Sequence, residues 1–222
     1  IKKATGEYLA FVDSDDYMES NMLELMYNKA IKTNSDIVIC GNNVVSTDYD
    51  ILKVESACLY KDKELDTLFG KMAITNKIYK KDLANKIAFV DKPLYNYLYR
   101  PGSTMNNSNL KRNLELLDAF DEMIKFFKKN DTYNINYEKL EALAIFHIYI
   151  TGITRLINTD TKMSDKKIYI NKYIDYMYKN FKSFNNNRYI KSLERNKKII
   201  YHLINLKMYR LIRLIFKVKG KK

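Results

Sequence analysis

Apolar and polar positions alternate differently in the two halves of this chain. Up to about residue 105, short apolar runs break off on turn residues; beyond it, apolar residues recur every three or four positions over long stretches. In the first half, Tyr8-Leu9-Ala10-Phe11-Val12 has strand character and stops on Asp13-Ser14-Asp15-Asp16. At about 3.3 Å per residue such a run crosses a buried sheet and delivers its acids at the far edge. If the strand continues, period-two alternation points Asp13 and Asp15 the same way. Ser20 or Asn21 then caps a predicted helix through Thr33, with Met22, Leu25, Met26 and Ala30 on one face. Ile37-Val38-Ile39-Cys40 reads as a strand buried on both faces. Further strands are expected at 44–46, 57–60, 87–90 and 94–100, with Asp91 a turn residue before Pro93, and a helix over 63–72. Lys77, Lys80 and Lys81 read as a solvated helix face.

The second half predicts helices over 109–129, 137–158, 164–181 and 189–219, with Asn, Asp and Thr in the joints. The run holding Leu140, Leu143, Ala144, Phe146, Tyr149 and Ile150 is apolar nearly all round, which places it inside a bundle. His147 within it reads as a core histidine, since nothing with ligand spacing surrounds it. On a wheel, the last segment sets His202, Asn205, Arg210, Arg213 and Lys217 against Ile200, Leu203, Ile204, Met208, Leu211, Leu214 and Ile215. Such a basic amphipathic helix lies in the headgroup layer of an anionic membrane, or packs its apolar side on the preceding helices.

Charge sharpens the division. The net charge is +13, with −1 in residues 1–104 and +14 in residues 105–222. Only the second half is basic, which favours an anionic partner such as a membrane surface or nucleic acid. No helix-turn-helix, zinc or RNA-binding signature supports nucleic acid. A hydrophobic content of 46% excludes wholesale disorder. Cys40 and Cys58 lack metal-ligand spacing and read as reduced core thiols, with a disulfide as the alternative. Without a leader pattern or an uninterrupted apolar run of about 18 residues, the expected location is cytoplasmic.

Asp13, Asp15 and Asp16 carry the candidate chemistry. Three carboxylates in four positions repel one another unless a cation or strong donors sit among them, and hard oxygens suit Mg²⁺ or Mn²⁺. By themselves they equally form a polar loop and a helix cap. The words from Ala4 to Tyr17, followed by Met22-Leu23-Glu24, resemble the middle of family 2 glycosyltransferases of the GT-A fold, whose Asp-X-Asp signature ends a strand. The stretches Asn76 to Leu83 and Leu94 to Arg100 resemble that family as well.

The resemblance implies an α/β fold, with a partial GT-A (Rossmann-like) sheet over 1–105 followed by an α-helical region over 106–222. It implies a metal-dependent glycosyltransferase of cell-surface polysaccharide synthesis, transferring from a nucleotide sugar, a UDP-sugar by expectation, to a glycan or lipid-linked acceptor with inversion. Asp13 would contact the donor near its ribose and share Mg²⁺ or Mn²⁺ with Asp15, while Arg100 and Ser103 would bind the diphosphate. The basic helix would hold the protein peripherally at the inner face of the membrane. Two departures go with this: no counterpart of the family's N-terminal nucleotide-binding half stands before the acidic run in this sequence, and the Glu-Asp segment bearing its catalytic base is absent between Leu83 and Ala84. The expectation is therefore an impaired enzyme whose base is unassigned, with Asp82 and Asp91 the nearest acids but neither matching the motif. Two other functions stand as alternatives: a non-catalytic membrane- or nucleic-acid-binding helical module, and last a haloacid-dehalogenase-like phosphatase with Asp13 as nucleophile and Asp15 as general acid. That family wants Thr or Val where Tyr17 stands.

Overall fold

A computed structural model describes residues 3–57, 75–81, 86–100 and 110–219. Cys58, Asp82, Ser103, the helix expected over 63–72 and most of the strand expected over 57–60 lie outside the described residues. The chain forms two compact units, Ile1–Asn106 and Asn107–Lys222.

Among the described residues of the first unit, β-branched and aromatic runs make a six-stranded mixed sheet, so this unit is α/β. Its strands are β1 (Tyr8–Ala10), β2 (Tyr17–Met18), β3 (Ile37–Val45), β4 (Ile51–Glu55), β5 (Lys77–Lys80) and β6 (Ile87–Leu98). The order is β1-β5-β3-β6-β2, with β4 also on β3; β3 and β6 run parallel and the other pairs antiparallel. Helix α1 (Met22–Thr33) follows the apolar spacing of its sequence. It buries Met22, Met26 and Ala30 against Val38, Cys40, Ile78, Ala88, Leu94 and Tyr95, and a left-handed Asn34 ends it.

Three expectations are corrected here. β1 is three residues long and forms an edge of the sheet, so the acidic run neither crosses a buried sheet nor continues as a strand. The chain between β1 and β2 must pass from one edge to the other: seven Cα steps reach at most about 25 Å, and four inter-strand steps need about 19 Å. Within that reach, bonds from Asp13 and Asp16 to Tyr95 and Leu98 of β6 take the acids out of strand geometry. Second, 87–90 and 94–100 are not separate strands around a turn at Asp91. They form one strand, β6, in which Asp91 and Lys92 bulge out where the register with β3 jumps from Cys40↔Val90 to Gly41↔Pro93. A Cβ on Gly41 would stand 2.6 Å from the Glu55 carbonyl oxygen, so only glycine fits there. Third, Lys77 and Lys80 belong to strand β5, not to a helix face, and Lys77 is only 8% exposed.

The second unit is helical. Its helices are α2 (Glu115–Lys129), α3 (Tyr133–Asn158), α4 (Met163–Asn180), α5 (Arg195–Asn205) and α6 (Tyr209–Lys219), with 3-10 turns at Arg112–Leu114, Phe184–Asn186 and Arg188–Ser192. The middle of α3, Ile145–Gly152, is wound as a π-helix. By length and hydropathy α3 would suffice to cross a membrane, but 67% of its most apolar window is buried within the protein, with Ile148 and Ile153 fully covered. The helix expected over 189–219 is broken. Lys207 takes φ 54°, and the Lys207 and Met208 amides donate to the Ile204 and Leu203 carbonyls, ending α5 before α6 begins. A single helical wheel therefore does not describe that segment, and each helix buries its own face: Ile200, Tyr201 and Ile204 on α5, Tyr209 and Ile212 on α6.

Candidate functional site

The acids sit in a tight turn in which the Asp16 amide donates to the Asp13 carbonyl at 3.1 Å. One side chain of β6 holds this turn. The buried Tyr95 hydroxyl accepts from the Asp13 amide at 3.3 Å and donates to Asp16 Oδ2 at 2.7 Å, while the Leu98 amide donates to Asp16 Oδ1 at 2.9 Å. Asp16 thus spends both oxygens on β6. Burial pushes its carboxyl above the usual carboxylate range; the Leu98 amide and Tyr95 hydroxyl pull it down, and the Asp15 and Asp13 charges add to the rise. Burial, followed by the bond to Asp16, pushes the Tyr95 phenol up to about 12, so it remains a donor at neutral pH.

Beyond the end of β6, the Arg100 guanidinium pairs through Nη2 with Asp15 Oδ2. The structure thus brings together two of the residues singled out in the sequence, 85 positions apart. Asp13 is exposed beside them. Ser103 lies outside the described residues. Protein donors therefore relieve much of the repulsion among the carboxylates: a guanidinium for Asp15, a phenol and an amide for Asp16. Among the described residues no three His, Cys, Asp or Glu side chains converge on a metal position. Asp15 with Asp13 still offers hard oxygens in one turn, a donor set that fits Mg²⁺ or Mn²⁺ when a ligand's phosphates complete the shell.

A buried polar network stands behind the turn. Asn43 Nδ2 donates to Asn96 Oδ1 at 2.9 Å, and Asn96 Nδ2 donates to Glu19 Oε1 at 2.9 Å, tying β3 and β6 to the residue just after β2. Asn76 Nδ2 donates to the Cys40 carbonyl at 2.6 Å, and Lys77 Nζ donates to Asn76 Oδ1 at 3.1 Å. Burial draws the Lys77 ammonium down to about 8 and pushes the Cys40 thiol up to about 11. Sequence reasoning missed Tyr95 as the organiser of the site. The only signal was an aromatic on an alternating strand, and which partner it meets across 79 positions depends on the sheet order.

Residues 1–88 match the glycosyl transferase family 2 profile. Three curated relatives share low identity: glycosyltransferase GlyA of Streptococcus pneumoniae at 24% over 187 residues, cholesterol galactosyltransferase of Borreliella burgdorferi at 25% over 213, and S. pneumoniae glycosyltransferase GlyG at 26% over 165. These alignments cover 66%, 76% and 56% of this chain but 26%, 58% and 54% of the relatives, so the chain spans between a quarter and three fifths of their lengths. The crystal structure of Staphylococcus aureus TarS 1–349 with UDP-GlcNAc aligns with a TM-score of 0.38 at 16% identity, covering 90% of this chain and 56% of that one.

Proposed function

Residues 1–88 belong to glycosyl transferase family 2, and on that premise we propose that the acidic turn with Arg100 grips the diphosphate of a nucleotide-sugar donor, by expectation a UDP-sugar. The observation that carries this reading is the Arg100–Asp15 pair beside the exposed Asp13. A diphosphate offers the guanidinium fork a bidentate partner of higher charge than a carboxylate. As Arg100 turns to the phosphate, Asp15 is released, with Asp13 next to it, to hold Mg²⁺ or Mn²⁺. The ion, when bound, neutralises charge growing on the departing nucleoside diphosphate. Asp16 stays on Tyr95 and Leu98, so the turn keeps its shape while its other two carboxylates change partners.

The reaction is glycosyl transfer: an acceptor hydroxyl oxygen bonds to the anomeric carbon as the bond from that carbon to the diphosphate breaks, and the hydroxyl proton passes to a base. The segment that bears this base in the family is absent here, so this chain is expected to bind a donor better than it turns it over. One relative is named for galactosyl transfer to cholesterol, which supports a lipid or lipid-linked acceptor. The outer face of α6 supports work at an anionic membrane. Leu211, Leu214 and Val218 are 37%, 56% and 61% exposed on that face, with Arg210 and Lys217 beside them.

Calorimetric titration of UDP with Mn²⁺ tests the donor site. Arg100→Gln is expected to weaken binding about tenfold or more, the worth of a charge-assisted bond, and Asp15→Asn to remove the dependence on Mn²⁺. Affinity and metal dependence unchanged in both variants would sink the reading.

A further inference from the structure

Near the C-terminal end of helix α3, Thr151, Thr154, Arg155 and Asn158, at i, i+3, i+4 and i+7, share a face. Those residues, Lys197 and Ile199 of α5, and Ile215 and Phe216 of α6 line a cavity of about 520 Å³ inside the second unit. Small-ligand sites span roughly 300–1,000 Å³. The Thr151 and Thr154 hydroxyls themselves are covered by protein, so the polar side of the cavity is carried by Arg155, Asn158 and Lys197.

The cavity is also positive. Arg155 and Lys197 are both half-buried on its wall, and the exposed Glu194 is the carboxylate at its margin. Their field reaches His147, whose imidazole is drawn down to about 4 by burial first and by the Lys197 and Arg155 charges next. The other wall, Ile199, Ile215 and Phe216, is apolar. A ligand matching both walls carries an anionic, oxygen-rich head on an apolar tail.

We infer that this cavity binds the phosphate head of an anionic lipid. Arg155 and Lys197 take the phosphate oxygens, and the Ile199, Ile215 and Phe216 wall covers the first carbons of the tail. This extends the reading of the second unit as working at a lipid surface, and α6 serves both roles: Ile215 and Phe216 line the cavity, while Leu211, Leu214 and Val218 are exposed. A bare phosphate shares the head chemistry but leaves the apolar wall without a partner.

Titrating the full chain with dihexanoyl phosphatidic acid, below its micelle concentration, tests the cavity without a bilayer, so its outcome is separate from vesicle docking and from UDP binding. Inorganic phosphate and dihexanoyl phosphatidylcholine are the comparison ligands. The expected result is saturable binding of phosphatidic acid, with both comparison ligands at least about tenfold weaker, and Arg155→Gln and Lys197→Gln each losing about tenfold. Phe216→Ala, which keeps both charges at a partly exposed position, is expected to lose about threefold and reads the same site should either charge variant fail to fold. Phosphate binding as tightly as phosphatidic acid would overturn the lipid assignment. No binding of phosphatidic acid, or undiminished binding by variants that fold, would overturn the site itself.

Discussion

The two units differ in what their buried polar groups hold together. In the sheet unit they meet across strands as side-chain pairs: Tyr95 with Asp16, Asn43 with Asn96, Asn96 with Glu19. In the helical unit, besides pairs such as Tyr149 with Asn205, buried side chains are also drawn to backbone carbonyls. Lys166, wholly buried, donates to the Ile157 carbonyl at 2.7 Å and also to the Thr159 carbonyl, which closes the C-terminal end of α3. Asn187 likewise donates to the Glu138 carbonyl at 2.9 Å, besides its bond to Glu141 Oε2. Strand backbones satisfy one another, so their polar side chains are free to build a site; helix ends leave carbonyls orphaned, and side chains are drawn in to satisfy them.

Substitutions can break or sharpen that contrast. Lys166→Ala removes a charged donor from two carbonyls and leaves a void, and is expected to cost about 4 kcal/mol in urea denaturation. His147 comes next. Its folded pKa, about 4, lies below the ordinary 6.5. The unfolded chain therefore takes up the proton first, and stability falls as pH drops from 6.5 towards 4, by up to about 3 kcal/mol. His147→Phe should flatten that part of the stability-against-pH curve, and an unchanged slope would show that the imidazole is not held neutral. Asp16→Asn keeps one acceptor but loses the charge that Tyr95 and Leu98 serve, an expected loss of about 2 kcal/mol. A cost above that of Lys166→Ala would reverse the contrast between the units. Asp15→Asn, at a surface where the paired side chains are 33% and 51% exposed, is expected to change stability by less than about 1 kcal/mol while altering ligand binding.

Helix α1, the buried core of β3 and the core position of α3 were all legible from apolar spacing, because those elements bury a face whatever their neighbours are. Lys77 was misread for the complementary reason. Lysine is usually exposed, and only the pairing of β5 between β1 and β3 shows that this one is covered. The break at Lys207 was hidden because a left-handed lysine has no glycine to announce it.

At the site itself, composition and spacing settled which groups are present: three acids after an apolar run, and an arginine at a strand end. Local residue types carry that information directly, since carboxylates and guanidinium keep their chemistry in any fold. Their partners were another matter. Whether Asp16 would be held by a phenol, whether Arg100 would reach Asp15, and whether an arginine on a core helix would line a cavity all depend on contacts between distant segments, which sheet order and helix packing decide. Those contacts are set by the summed burial of many side chains, so no single stretch of sequence encodes them.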